Sequence, residues 1–197
     1  MPWREALIIR KMYKDTTLKD YLEELAAKLS VPGGGSSAAF CAAMAAALVS
    51  MVVNFTLGKP KYDKYEKRLK ESINKSEFLR KEFLRLVDLD AIAYKSNNIR
   101  DAINIPFMVS RLCLEGIKLC LPLLKEGNIN LVTDIAVAAV FFESAFVSAS
   151  FNVKVNLKSL GDKKFCAGVR KELSRNNRQI SKIRMQVEDR VGDIIRG

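Results

Sequence analysis

Val31–Leu57, "VPGGGSSAAFCAAMAAALVSMVVNFTL", is the stretch on which the fold turns. From Ala38 to Leu57 there are twenty residues without a formal charge, which is the length of a membrane span. The apolarity is mostly alanine, however, and Ser50 and Asn54 interrupt it. Alanine gains little from lipid, but its small side chain lets neighbouring helices approach closely. An Ala-rich helix without a polar face therefore predicts the centre of a helical bundle. Pro32 and the run Gly33-Gly34-Gly35-Ser36-Ser37 open this helix, and Gly58 closes it as the C′ residue.

Working outward, no stretch alternates for long at period two, and Pro and Gly fall mostly between long periodic segments. Thr17 with Asp20 resembles a capping box for a helix to about Leu29. Pro60 suits the first turn of a long charged helix to about Asn97, and another helix is expected from Ile99 to Lys125, ending at Gly127. Asn128 or Asn130 caps a very apolar helix to about Asn152, and Asp162 begins a last, basic amphipathic helix. The expectation is one all-α domain spanning residues 1–197, a bundle of about six helices with two of them long. It has an N-terminal extension over 1–15 and a basic C-terminal helix over 162–197. The extension lacks the apolar length and the cleavage site of a signal peptide.

The chain carries 33 Lys and Arg against 22 Asp and Glu, a net +11, and no histidine. That excludes Ser-His-Asp and Cys-His nucleophiles, His-ligated zinc and an imidazole switch, and no metal site is expected. Proton transfer near neutrality would need a carboxylate, Lys, Cys or Tyr moved from its ordinary pKa. Residues 151–197 hold 12 basic and 5 acidic side chains, so the excess charge is local. No helix-turn-helix, zinc or RNP-type pattern accompanies it, and no nucleic-acid partner is expected. Cys41, Cys113, Cys120 and Cys166 lack CxxC spacing and read as reduced core residues of a cytoplasmic protein. The segment Leu131–Phe151 is also apolar, but Asp134 and Glu143 within it would be costly in a bilayer, and no membrane partner is expected.

At 100° per residue, Leu79, Phe83, Leu86, Val87 and Tyr94 all fall within about 60° of Asp90. Asp90 thus sits on the apolar stripe of its helix, where desolvation raises a carboxyl pKa, and it is a candidate general acid/base or a paired structural acid. Asp88, rotated by about 200°, is expected to be a solvated surface charge. Glu143, inside the apolar helix, needs a partner. Gly33–Ser37 can present free N–H groups to an anion or a ring edge, or can be a tight connection with Ser36 as N-cap. Asp134 suits the first turn of its helix by its charge alone.

Four blocks stand in order along the chain: "VPGGGSSAAFCAAMAAALVSMVVNFTLGKPKY" (31–62), "LVDLDAIAY" (86–94), "GNINLVTDIAVAA" (127–139) and "FNVKVNLKSLGDKKF" (151–165). Together they resemble the formiminotetrahydrofolate cyclodeaminase family, which includes the cyclodeaminase half of the vertebrate bifunctional enzyme and bacterial methenyltetrahydrofolate cyclohydrolases. The resemblance implies an all-α homodimer and a tetrahydrofolate derivative, polyglutamated forms included, as substrate rather than as a bound cofactor. It also implies a catalytic Asp from the D-x-D-A-x-A-[FY] block, and the angular argument selects Asp90 over Asp88. Gly33, Gly34, Gly35, Ser36, Ser37, Asn54, Lys59, Asp134, Asn152 and Asn156 match blocks expected at the pocket. Family members carry a longer connection between the Asp-bearing and Pro-bearing helices, whereas Asp90 and Pro106 are only 16 residues apart here. Cyclodeaminase, cyclohydrolase, and a non-catalytic folate-binding or structural homodimer are the readings that follow.

Overall fold

The Ala-rich stretch forms α2, Gly34–Asn54, and its alanines do what their size allows. Ala39, Ala42, Ala45 and Ala46 are wholly buried, and long neighbours lie close against α2 on two sides. The computed structural model describes residues 12–96 and 98–197; the N-terminal extension therefore falls mostly outside the described residues, apart from a 3₁₀ turn at Tyr13–Asp15. The other helices are α1 (Leu18–Ala26), α3 (Glu66–Ser96), α4 (Ile99–Ile117), α5 (Cys120–Glu126), α6 (Val132–Asn156) and α7 (Lys163–Arg196). Among the described residues there is no strand, so the all-α bundle stands, with α3 and α7 as its long members. α3 and α6 flank α2, α4 packs on α6 and α3, and α7 crosses α6, α4 and α5.

Two of the caps read from sequence act as caps, whereas α6 starts after Leu131 without a side-chain cap. Asn128 instead caps the 3₁₀ turn Ile129–Leu131, and α2 ends at Asn54, ahead of Gly58. Thr17 Oγ1 accepts the Asp20 N–H at 3.0 Å, and Asp162 Oδ1 accepts the Phe165 N–H at 3.0 Å. Gly127 ends α5, and Gly58, with φ of 75°, turns the chain out of the α2 exit. Several boundaries differ from expectation: α1 and α2 end three residues early, at Ala26 and Asn54, and α6 runs on to Asn156. Pro60–Tyr65 is a 3₁₀ run ahead of α3, and the helix expected over Ile99–Lys125 breaks at Lys118–Leu119. Pro122 is the reason for the break: it lies in the first turn of α5, where a missing N–H costs nothing. Pro106 stays inside α4, and the Ala102 carbonyl that would have accepted its N–H takes Asn156 Nδ2 of α6 instead, at 2.7 Å. At Gly116 α4 meets α6 so closely that a Cβ would lie 2.4 Å from the Phe142 ring.

Polar groups in the core are joined across helices. Ser50 Oγ on α2 meets Ser76 Oγ on α3 at 2.8 Å. Thr56 Oγ1 donates to the Val52 carbonyl and accepts the Asn128 N–H at 2.9 Å, tying the α2 exit to the α6 entry. Glu143 finds its partners on α7, where Arg184 forms an ion pair and Ser181 donates a hydrogen bond. All four cysteines are free thiols, three of them buried and Cys41 half-buried. α2 and the stretch 129–156 are each long and apolar enough to cross a membrane by length and composition, and both are parts of this bundle.

Candidate active site

Asp90 is where α3 passes the start of α2. Its carboxylate accepts the Ser36 backbone N–H, so an acid from one helix satisfies an N-terminal donor of another. The fit depends on Gly35: a Cβ there would lie 2.1 Å from Asp90 Oδ1 and 2.6 Å from Cγ. Burial pushes the Asp90 pKa above the ordinary aspartate value, and the Ser36 N–H only partly offsets this. A half-buried carboxyl with one backbone donor and no cation among the causes of its shift can hold or release a proton closer to neutrality than a surface acid.

The glycine run turns on space rather than on unusual dihedrals. Gly33, with φ of −143°, is the N-cap residue of α2, and Ser36 lies inside the helix instead of capping it. Ser37 Oγ donates to the Gly33 carbonyl at 2.9 Å. Gly34 faces Asn152 of α6, whose Nδ2 lies 3.6 Å from where a Cβ would stand. Asn152 Nδ2 itself donates to the Ser148 carbonyl. Tyr21 of α1, absent from the sequence-derived candidates, is buried with its hydroxyl 3.1 Å from Ser36 Oγ and 3.3 Å from Ser37 Oγ. Only its apolar position in a short amphipathic helix hinted at a place in the interior.

The expectation for Asp88 is corrected. It is not solvated but 4 % exposed, because the Tyr13–Asp15 turn lies across that side of α3. Asp88 Oδ1 accepts the Lys14 N–H at 3.4 Å, and Oδ2 has no hydrogen-bond partner among the described residues. Burial raises its pKa as well, against the opposing backbone donors of Lys14 and Tyr13. Tyr94, placed by angle on the apolar stripe, is 61 % exposed, since α3 ends at Ser96 and α4 begins at Ile99.

The candidates fall into two groups. Gly33–Ser37, Asp90 and Asn152 gather at the α2 entry, with Asn156 one turn further on, its amide nitrogen held by Ala102. Asn54, Lys59 and Asp134 lie at the opposite end, where the α2 exit meets the α6 entry; the first two are exposed and Asp134 is half-buried. From Asp134 to Asn152 is about 27 Å along α6 at 1.5 Å per residue, so one chain does not bring the groups together.

Comparison with known proteins agrees with this architecture. The formiminotransferase-cyclodeaminase family model matches residues 17–98 and 95–175, two segments that meet at the α3–α4 joint. A methenyltetrahydrofolate cyclohydrolase of Methylorubrum extorquens is 34% identical, with 82% of this chain and 89% of that protein aligned. The formimidoyltransferase-cyclodeaminase of Mus musculus is 30% identical over 77% of this chain, which spans only 32% of that longer protein. The crystal structure of formiminotetrahydrofolate cyclodeaminase from Thermotoga maritima superposes with a TM-score of 0.88 at 27% identity, covering 92% of this chain and 98% of that one. A family model that matches most of the chain, together with these relatives, makes the chain a member of the formiminotransferase-cyclodeaminase family.

Proposed function

We propose that the protein is a folate-dependent one-carbon enzyme that converts 5-formimino-tetrahydrofolate to 5,10-methenyl-tetrahydrofolate with release of ammonia. Asp90 is its general acid/base. The observation that carries this reading is the desolvated Asp90 carboxylate seated against Gly35 at the positive end of α2. With the formimino group protonated, N10 attacks its carbon and the C=N bond becomes a C–NH2. Asp90 takes the proton that N10 loses and returns it to that amino group, which leaves as ammonia while N5 supplies the electron pair of the methenyl cation. One carboxyl of raised pKa serves both transfers, so a chain without histidine suffices. The Gly33–Ser37 turn and Asn152 orient the ring system beside it.

A second reading is favoured by the 34% identity to a cyclohydrolase over most of both chains. There, water adds to the methenyl carbon and gives one proton to the same carboxylate. The carboxyl passes it to N5 as the C–N5 bond breaks, while the remaining hydroxyl proton goes to solvent and leaves a formyl group on N10. Parallel assays with formimino- and methenyl-tetrahydrofolate, following methenyl absorbance and ammonia, separate the two. Gain of absorbance with equimolar ammonia is expected; loss of methenyl absorbance alone assigns the hydrolase. No turnover and no calorimetric binding of either folate overturns both.

The active species proposed is a homodimer. Met44 on α2 and Phe55 just after it, with Val137, Val140, Val147 and Phe151 on α6, are exposed apolar side chains on this helix pair. The arrangement proposed has its two-fold axis perpendicular to α2 and α6, which sets the Asn54, Lys59 and Asp134 end of one copy beside the Asp90 end of the other. Light scattering is expected to give twice the 22.1 kDa of the chain. Val140→Asp is expected to yield a helical, inactive monomer; a monomeric wild type with full turnover would refute the arrangement.

A further inference from the structure

The seam between α6 and α7 takes no part in the reading above. At one end Glu143 is occupied by Arg184 and Ser181. Toward the α6 exit the two helices part around a groove of about 270 Å³. Its floor is apolar, made by Phe146 and Leu173 with the hydroxyl of Ser150 between them. Ser150 spends its proton on the Phe146 carbonyl at 2.8 Å. The rim is Lys154 from α6 and Arg170 from α7, with Ser174 and Asn177 beside them, and among the described residues no carboxylate lines it.

Two cations over a partly apolar floor repel one another unless something answers their charge. The neighbouring acids of α7 do not. Glu172 is held by Arg111 of α4 at 2.7 Å, and Asp162 by Arg100 at 2.9 Å. Lys154 makes only a cation–π contact, 5.6 Å from the Phe151 ring centre, and Arg170 has no ion pair among the described residues. The groove is smaller than the roughly 300–1,000 Å³ of ordinary small-molecule pockets, which favours a compact ion over a ring system. We propose that it binds a compact dianion, either a phosphate group or a short dicarboxylate. Arg170 supplies a planar fork, Lys154 a point charge, and Ser174 and Asn177 neutral donors. It is separate from the Asp90 site: Lys154 lies two residues after Asn152 on α6, which turns it about 200° away.

The test uses the full chain without folate, so its outcome is independent of the enzymatic reading. The thermal midpoint is followed against inorganic phosphate and, separately, glutarate, at an ionic strength held constant with chloride. A saturable rise with at least one of them is expected. The Lys154→Gln/Arg170→Gln variant, changed at two exposed positions, should need about tenfold more anion for half saturation. The charge-matched Lys67→Gln/Lys81→Gln variant on α3 should match wild type. Saturation by phosphate alone assigns a phosphate group and by glutarate alone a dicarboxylate, while both together show selection by charge. No saturable rise, or one unchanged in the groove variant, overturns the proposal.

Discussion

Asp90→Asn is expected to lower turnover by about two to four orders of magnitude, the usual contribution of a positioned acid/base. Circular dichroism should remain that of the wild type. Asparagine keeps an oxygen to accept the Ser36 N–H and loses only the proton chemistry, so substrate binding should change far less than turnover. The same variant should also be more stable at neutral pH. Because burial places the folded-state pKa above the ordinary 3.8, the native protein binds the Asp90 proton more tightly than the unfolded chain does. As pH rises from 3.8 through the elevated value, wild type loses stability that the Asn variant does not lose. The thermal midpoints should therefore coincide in acid and separate above that window, with the variant higher. Unchanged turnover would remove Asp90 from the chemistry, and a variant less stable at pH 7 would make it a structural acid.

Gly35→Ala is the companion experiment, and it leaves every titratable group in place. The new methyl would stand 2.1 Å from Asp90 Oδ1 and 2.7 Å from Oδ2, far inside any contact that real Cβ atoms make. α2 is wedged between α3 and α6, so the carboxylate is the part that moves. Loss of the Ser36 hydrogen bond and of the reactive position should cut turnover by about a hundredfold, the effect of a displacement near 1 Å. The crowding should cost about 1–3 kcal/mol in urea unfolding. Gly33→Ala is the control: nothing lies within 4 Å of its Cβ position, and its φ of −143° suits any residue. Near-wild-type activity in Gly35→Ala would show that the contact between α2 and Asp90 has no role in catalysis.

These two positions also show what could be read from the chain alone. The inward aim of Asp90 follows from helix angles, because Leu79, Phe83 and Leu86 fix the buried side of α3 and are themselves buried. The helix caps at Thr17 and Asp162 follow from residue type alone. Asp88 escaped the same arithmetic. A wheel records where a side chain points, not that a segment 74 residues earlier returns to cover that direction. Tyr94 fails for the converse reason: its angle is apolar, but the neighbour that would cover it is missing at the end of the helix. For the glycine run, free dihedrals were the natural expectation. What the fold uses instead is the absent Cβ, and that requirement comes from a carboxylate on another helix.

The joint between α3 and α4, Ser96 to Ile99, has a kinetic consequence. Only positions 97 and 98 separate the two helices, so among the described residues the chain between them is too short to form a lid of its own. Enzymes that close a lid meter their turnover by microsecond-to-millisecond opening and shutting. In the enzyme proposed above no such step is expected at this joint, and pre-steady-state kinetics without a lid-opening phase would check it.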